Sequence, residues 1–389
     1  MALQDFKRTR EAHPFAQDHA FFPGGIVEKK KILKIAVSGY YGFGNTGDEA
    51  ILTSLLRILK RIPNSRITVL SAFPKRTTKE HGVRSILRIN PLSVLWAISS
   101  CDLLISGGGG LLQDATSSRS LLYYLSIIYL GVILKKRVVL LAQSIGPISK
   151  KGNRTLTSWI LNRVSLITVR DEHSLKELEK LGVRKVPIFQ TSDLALLLEK
   201  PDLKEEREAI DFLGVEKPFV VFCLRNLKHK KISTQTFSQI AQAVQRKLQA
   251  KVVFLPFQFS VDQELCEELS SLVPGSIACP FLKPNQIIGL FRGAELVVGM
   301  RLHSLIFSVL SRTPFIPISY DPKVSSFAEL LGQEPLSLDD SPEKIFSKIE
   351  EYFQNRAKIK ENLEESARRL EEKAEENWKH LENLINTIS

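Results

Sequence analysis

The stretch Ile32-Leu33-Lys34-Ile35-Ala36-Val37-Ser38-Gly39-Tyr40-Tyr41-Gly42-Phe43-Gly44-Asn45-Thr46-Gly47-Asp48-Glu49-Ala50 opens as a short aliphatic run, breaks into glycines and leads into the apolar segment 51–59. A buried strand that yields to a glycine-rich turn and then a helix is the βα unit of a doubly wound parallel sheet. Outward from it, apolar runs rich in Val, Ile and Leu alternate with helical stretches. Strands are expected at 32–38, 66–71, 102–106, 138–142, 166–169 and 186–189. The fold class is therefore α/β, and 389 residues exceed what one hydrophobic core usually serves.

The second core is read after a charged segment, Glu199-Lys200-Pro201-Asp202 through Glu205-Glu206-Arg207-Glu208. Further strands are expected at 219–224, 252–255, 296–298 and 315–318, with helices at 239–248, 263–272, 284–292 and 302–310. The organisation so derived is a flexible arm over 1–30, a Rossmann-like domain over 31–195, a linker over 196–216, a second Rossmann-like domain over 217–335 and a helical tail over 336–389. The tail's sparse apolar stripe suits packing across both domains.

Composition narrows the function. A formal charge of +12 favours an anionic partner, which charge alone does not specify. The Lys and Arg residues are scattered and form no nucleic-acid motif, so nucleic acid is set aside. Cys101, Cys223, Cys266 and Cys279 form no CxxC pair, which argues against a zinc knuckle or disulfide scaffold and fits a reducing cytoplasm. The first thirty residues lack the uninterrupted apolar core of a secretory signal. The apolar segment 121–134 is too short to span a bilayer and runs into Lys135-Lys136-Arg137. It reads as a core helix, with contact to the inner face of an anionic membrane as the second reading.

Candidate chemistry gathers where strands give way to helices. After the first strand come Gly44, Asn45 and Gly47, followed by Asp48 and Glu49 at a helix start. Carboxylates there would repel a pyrophosphate and disfavour a dinucleotide site. They suit hydrogen bonding to sugar hydroxyls or proton transfer, while helix capping is the plainer role open to Asp48. The run Gly107-Gly108-Gly109-Gly110 follows the strand at 102–106 and makes room for a ligand, and Gln143 ends a third strand on the same edge. In the second half, Gly299-Met300-Arg301-Leu302-His303 places a planar cation and a titratable imidazole at a helix start. Arg225 and Lys323 follow neighbouring strands and are expected on that edge. No HExxH, EF-hand, P-loop or GxSxG pattern occurs and no metal cluster is evident.

Taken in order, Gly39–Ala50, Gly107–Gly110, Gln143-Ser144-Ile145-Gly146-Pro147, Arg170-Asp171, Arg301-Leu302-His303 and Tyr320-Asp321-Pro322-Lys323 resemble the polysaccharide pyruvyl transferase family, most closely its cell-surface-anchoring (CsaB) type. The resemblance implies the two-domain fold of B-type glycosyltransferases, phosphoenolpyruvate as donor and a pyruvyl ketal on a saccharide as product. It implies no cofactor, leaves a divalent ion open, and places Arg301, Lys323 and His303 as donor-binding, cationic and proton-transfer positions. His303 is then expected to protonate the donor's methylene carbon, with Arg225 as a further cation and Gly44, Asn45, Gly47, Gly108, Gly109 and Gln143 toward the acceptor. A lipid-linked envelope precursor is one form that acceptor takes. A nucleotide-sugar glycosyltransferase of the same fold and a non-catalytic saccharide-binding protein are the competing readings.

Overall fold

The computed structural model describes residues 32–115, 117–227 and 232–387; the arm expected over 1–30 lies outside them. Two parallel sheets result. The first is built from β1 (Leu33–Ser38), β2 (Ser65–Ser71), β3 (Arg84–Leu87), β4 (Leu103–Ser106), β5 (Gly109–Leu112), β6 (Arg137–Ile145), β7 (Leu166–Val169) and β8 (Ile188–Gln190). Its order is β3-β2-β1-β4-β6-β7-β8, with β5 paired to β6. The second contains β9 (Phe219–Cys223), β10 (Lys251–Phe254), β11 (Ile277–Ala278), β12 (Leu296–Gly299), β13 (Phe315–Ser319) and β14 (Leu336–Ser337), in the order β11-β10-β9-β12-β13-β14. Strand order reverses beside β1 in one sheet and beside β9 in the other. At such switch points, loops leaving the strand ends diverge and open a crevice.

The helices that flank the first sheet are α1 (Thr46–Leu59), α2 (Pro74–His81), α3 (Pro91–Ser100), α4 (Ser118–Ile133), α5 (Lys151–Leu161) and α6 (Glu172–Leu181). Those that follow are α7 (Leu203–Leu213), α8 (Thr234–Leu248), α9 (Phe259–Leu272), α10 (Pro284–Gly293), α11 (Leu302–Ser311), α12 (Pro322–Leu330), α13 (Pro342–Gln354) and α14 (Arg356–Asn386). One core layer lies on the α3, α4 and α5 side of the first sheet. Another is shared by both halves and joins α1 residues such as Leu52 and Leu55 to Phe257, Phe291 and Phe307.

The segment expected as a linker holds a 3-10 turn at Leu194–Leu197 and then α7. Ile210 of α7 meets Gly293 of α10, where a β-carbon would collide with it, and Arg292 donates to the carbonyl of Pro201. The tail becomes α13 and the long α14, which returns to the first half. Asn377 of α14 is fully buried, accepts from Thr168 Oγ1 at 2.6 Å and Thr191 Oγ1 at 2.9 Å, and donates to the Ser192 carbonyl. Arg312 binds Glu364 and Glu371 of the same helix, so α14 ties both halves together.

Four short strands were not anticipated. β3, β11 and β14 span only two to four residues each, and β5 is built on Gly109 and Gly110, residues whose composition reads as a turn. Residues 121–133 fall within α4 and Leu134 caps it; Leu121, Tyr124, Leu125, Ile127 and Ile128 are buried on the sheet. Among the described residues no helix is long and apolar enough to cross a membrane.

Candidate active site

The two halves meet where α1 of the first begins and α9 and α11 of the second begin. Asn45 caps α1, its Oδ1 accepting from Gly47 N at 3.1 Å. Its backbone bridges Gln258 of the second half, and Thr46 N donates to the Phe257 carbonyl at 2.9 Å. The start of α1 is thus pinned against the segment that joins β10 to α9. A β-carbon on Gly47 would overlap the His303 ring, and one on Gly110 would stand 2.8 Å from Lys323 Nζ. Gly109 has φ +99, and a β-carbon there would lie 3.0 Å from Asp48 Oδ1. At Gly47 and Gly110 the missing side chain lets groups from opposite halves approach, and at Gly109 it lets the glycine strand approach Asp48 of its own half.

Cations line this junction. Arg301, 7% exposed, donates from Nη2 to Asp262 Oδ1 at 2.6 Å. Arg170, at the end of β7, is paired with Asp193 at 2.5 Å and with Asp171 at 3.6 Å. Arg225, after β9, donates to Tyr320 Oη at 2.7 Å and lies over that ring. Burial, with Arg170 as a neighbouring charge, holds the Lys323 ammonium below its ordinary range. Each arginine keeps a buried Nε that has no acceptor among the described residues. Buried N–H groups are rarely left so, and such donors suit the oxygens of an anion.

Two proton states are inverted. Burial, with Glu49 adding repulsion, raises Asp48 from 3.8 to about 8, although Arg170 and Arg301 oppose the change. At neutral pH Asp48 therefore carries a proton. Burial pushes His303 down to about 4 even though Asp193 Oδ2 lies 3.7 Å from its Nε2. In the unliganded protein His303 is neutral at pH 7. Asp193 is held below the carboxylate range: its own burial works the other way, but Arg170 and His303 outweigh it.

The candidates read from the sequence divide accordingly. Asp48, His303, Arg301, Lys323, Gly47 and Gly109 come together. Glu49 turns away: Oε1 accepts from Gly42 N at 2.8 Å and Oε2 faces His81 at 3.9 Å. Asn45 is occupied by its cap. Gly44 is buried with φ +70. Gly108 sits tightly beneath the Ala142 carbonyl. Gln143 is fully buried and donates to the carbonyls of Ser106 and Gly107, which fixes the glycine loop in place. Glu49, Glu80 and His81 bring ligand atoms within 4.8 Å of one another, a grouping able to hold a cation. Its members are partly committed, since Glu80 also binds Arg76 at 2.8 Å.

Sequence reasoning passed over Arg170, Asp193 and Asp262 as site residues. The first two follow strand ends, the rule that found Arg225 and Lys323. Asp262 lies inside α9 and gives no such signal. Also missed were Tyr40 and Phe43, stacked at 4.1 Å, and the buried Arg88 that lies over Phe43, Tyr123 and Tyr124.

Two parallel α/β sheets with the candidate residues gathered at their switch points define a protein of the B-type glycosyltransferase architecture. Solved structures agree in fold: HepE from Anabaena, in complex with UDP-glucose, matches with a TM-score of 0.62 at 17% identity over 91% of this chain and 100% of that one. UDP-GlcNAc 2-epimerase from Neisseria meningitidis matches with a TM-score of 0.63 at 12% identity over the same shares. The polysaccharide pyruvyl transferase model matches residues 45–322, and the chain belongs to that family. It is also 21% identical over 229 residues to the amylovoran biosynthesis protein AmsJ of Erwinia amylovora, which covers 54% of this chain; the chain spans 55% of that relative's length.

Proposed function

We propose that the protein transfers the pyruvyl group of phosphoenolpyruvate to a saccharide as a cyclic ketal, releasing phosphate, on the cytoplasmic side of the envelope. Pyruvyl transfer in polysaccharide biosynthesis is the family's role; donor and ketal are the finer reading. The observation that supports it best is the unpaired buried Nε–H groups of Arg170 and Arg301, whose charges act on both Asp48 and His303, together with Lys323 under the charge of Arg170, and Arg225 bonded to Tyr320, which is close to Lys323 in sequence. Phosphoenolpyruvate brings a carboxylate and a phosphate, whose oxygens suit such donors.

In this reading the proton roles follow the inverted titrations rather than the first expectation for His303. Asp48, holding its proton at neutral pH, gives it to the methylene carbon; neutral His303 takes the proton of the attacking hydroxyl. The cationic C2 accepts the hydroxyl oxygen, a second hydroxyl displaces phosphate, and phosphate departs with the C–O electron pair and that hydroxyl's proton. Proton return from His303 restores Asp48. The half-buried faces of Tyr40 and Phe43 offer a platform for the acceptor ring.

Three measurements test it. Phosphoenolpyruvate, not a nucleotide sugar, should raise the thermal midpoint. Phosphate release should require both donor and saccharide. In heavy water the product methyl should gain deuterium. Stabilisation by a nucleotide sugar with glycosyl transfer, or saccharide binding without turnover, would replace this reading with one of its competitors.

A further inference from the structure

Helices α3, α4 and α5 lie side by side on the outer side of the first sheet, and their solvent faces are apolar where surface helices are usually charged. On α3, Leu92 is 78% exposed, with Leu95 and Trp96 beside it. On α4, Leu122, Tyr129 and Ile133 recur at helical spacing along the exposed stripe. On α5, Leu156 and Trp159 are exposed, and Trp159 meets Tyr129 at 5.4 Å, which makes the surface continuous.

Charge on this face has one sign. The three helices contain no Asp or Glu, and from Gly82 to Arg170 the chain has eleven Lys or Arg against Asp102 and Asp114. Arg84 lies over the Trp96 ring at 4.1 Å and Arg163 over Trp159 at 4.1 Å. Trp96 also borders a cleft of about 700 Å³ lined by Lys34, Lys60, Arg66 and Arg84. Apolar groups with exposed tryptophans and a cationic rim match the boundary between lipid headgroups and acyl chains.

We propose that this three-helix face docks the protein on an anionic bilayer. The face lies across the first sheet from the core shared with the second half, so docking leaves the junction between the halves uncovered. At its edge Arg88 touches both Tyr123 of α4 and Phe43 of the glycine loop, so the membrane-facing layer adjoins the site. The inference holds whichever donor the enzyme uses.

The test uses the full chain with phosphatidylcholine vesicles, with and without phosphatidylglycerol. Sedimentation with the anionic vesicles alone is expected, fading as salt rises, together with a blue shift of tryptophan emission that Trp96→Phe/Trp159→Phe removes. Leu122→Asp/Ile133→Asp and, separately, Lys135→Glu/Lys136→Glu should each weaken partitioning about tenfold or more, with the thermal midpoint in solution unchanged. Failure of the folded wild type to sediment overturns the proposal. So does sedimentation that the Leu122/Ile133 variant leaves intact. A wild-type dimer in solution that Leu122→Asp dissociates would instead assign the face to a second copy and overturn it equally.

Discussion

The imidazole of His303 rests on the backbone of Gly47, so the helix start of one half touches the helix start of the other. No methyl group fits between them. Gly47→Ala should therefore part the halves at the site: a cost of about 1–3 kcal/mol is expected from overpacking, with activity falling more than tenfold. Gly47→Ala/His303→Ala should regain the thermal midpoint but not the activity. A fully active Gly47→Ala variant would mean that the contact is dispensable.

The two inverted titrations predict a bell-shaped pH profile. If the active form has Asp48 protonated and His303 neutral, kcat/KM should fall above about 8 and below about 4. Residual activity in Asp48→Asn should lose the alkaline limb, and in His303→Gln the acidic one. Each should cost about 10²–10⁴-fold in turnover while leaving donor binding in place. Unaltered limbs would exclude these two groups as their source.

How much of this was legible in the sequence depends on what carried each signal. The βα repeat announced itself through aliphatic runs, and every anticipated strand formed within a few residues of its expected bounds. β6 outran expectation because Gln143, polar by type, remains in the strand with its amide bonded to Ser106 and Gly107. β5 was hidden because Gly109 and Gly110 carry no strand propensity; their pairing with β6 is tertiary. At the site, strand ends pointed to Arg301, Lys323 and Asp48. Burial, which inverts Asp48 and His303, leaves no mark on local composition.

Arg301 and Lys323 make different demands as donor ligands. Arg301→Ala removes a buried guanidinium and strands Asp262, which is fully buried and bonded to it at 2.6 Å. Breaking such a pair costs about 3–5 kcal/mol, so both stability and donor use should fall. Lys323→Ala should lower kcat/KM about tenfold or more with little change in midpoint, since its ammonium makes no ion pair within 4.0 Å among the described residues. Calorimetric unfolding beside donor titration separates the two patterns. Wild-type kinetics in either folded variant would remove that residue from the donor site.

Asp48→Asn should make the protein more stable while removing most of its turnover. The folded protein holds the Asp48 proton more tightly than the unfolded chain does, because burial lifts its value from 3.8 to about 8. That contribution is fully present below pH 3.8 and is lost as pH rises toward about 8, where the folded state must carry a buried carboxylate or keep a proton that the unfolded chain would release. Asparagine retains the shape and sheds the penalty. The gain over wild type should be small near pH 4 and grow to a few kcal/mol by pH 8, at about 1.4 kcal/mol per unit of displacement. His303 tilts the other way: with its value pushed down to about 4, stability present above its ordinary 6.5 is lost as pH falls from there, so His303→Gln should gain on the acidic side. Urea unfolding at several pH values resolves the two. If Asp48→Asn tracks the wild type at every pH, Asp48 is ionised in the folded protein and cannot be the group that protonates the donor at neutral pH.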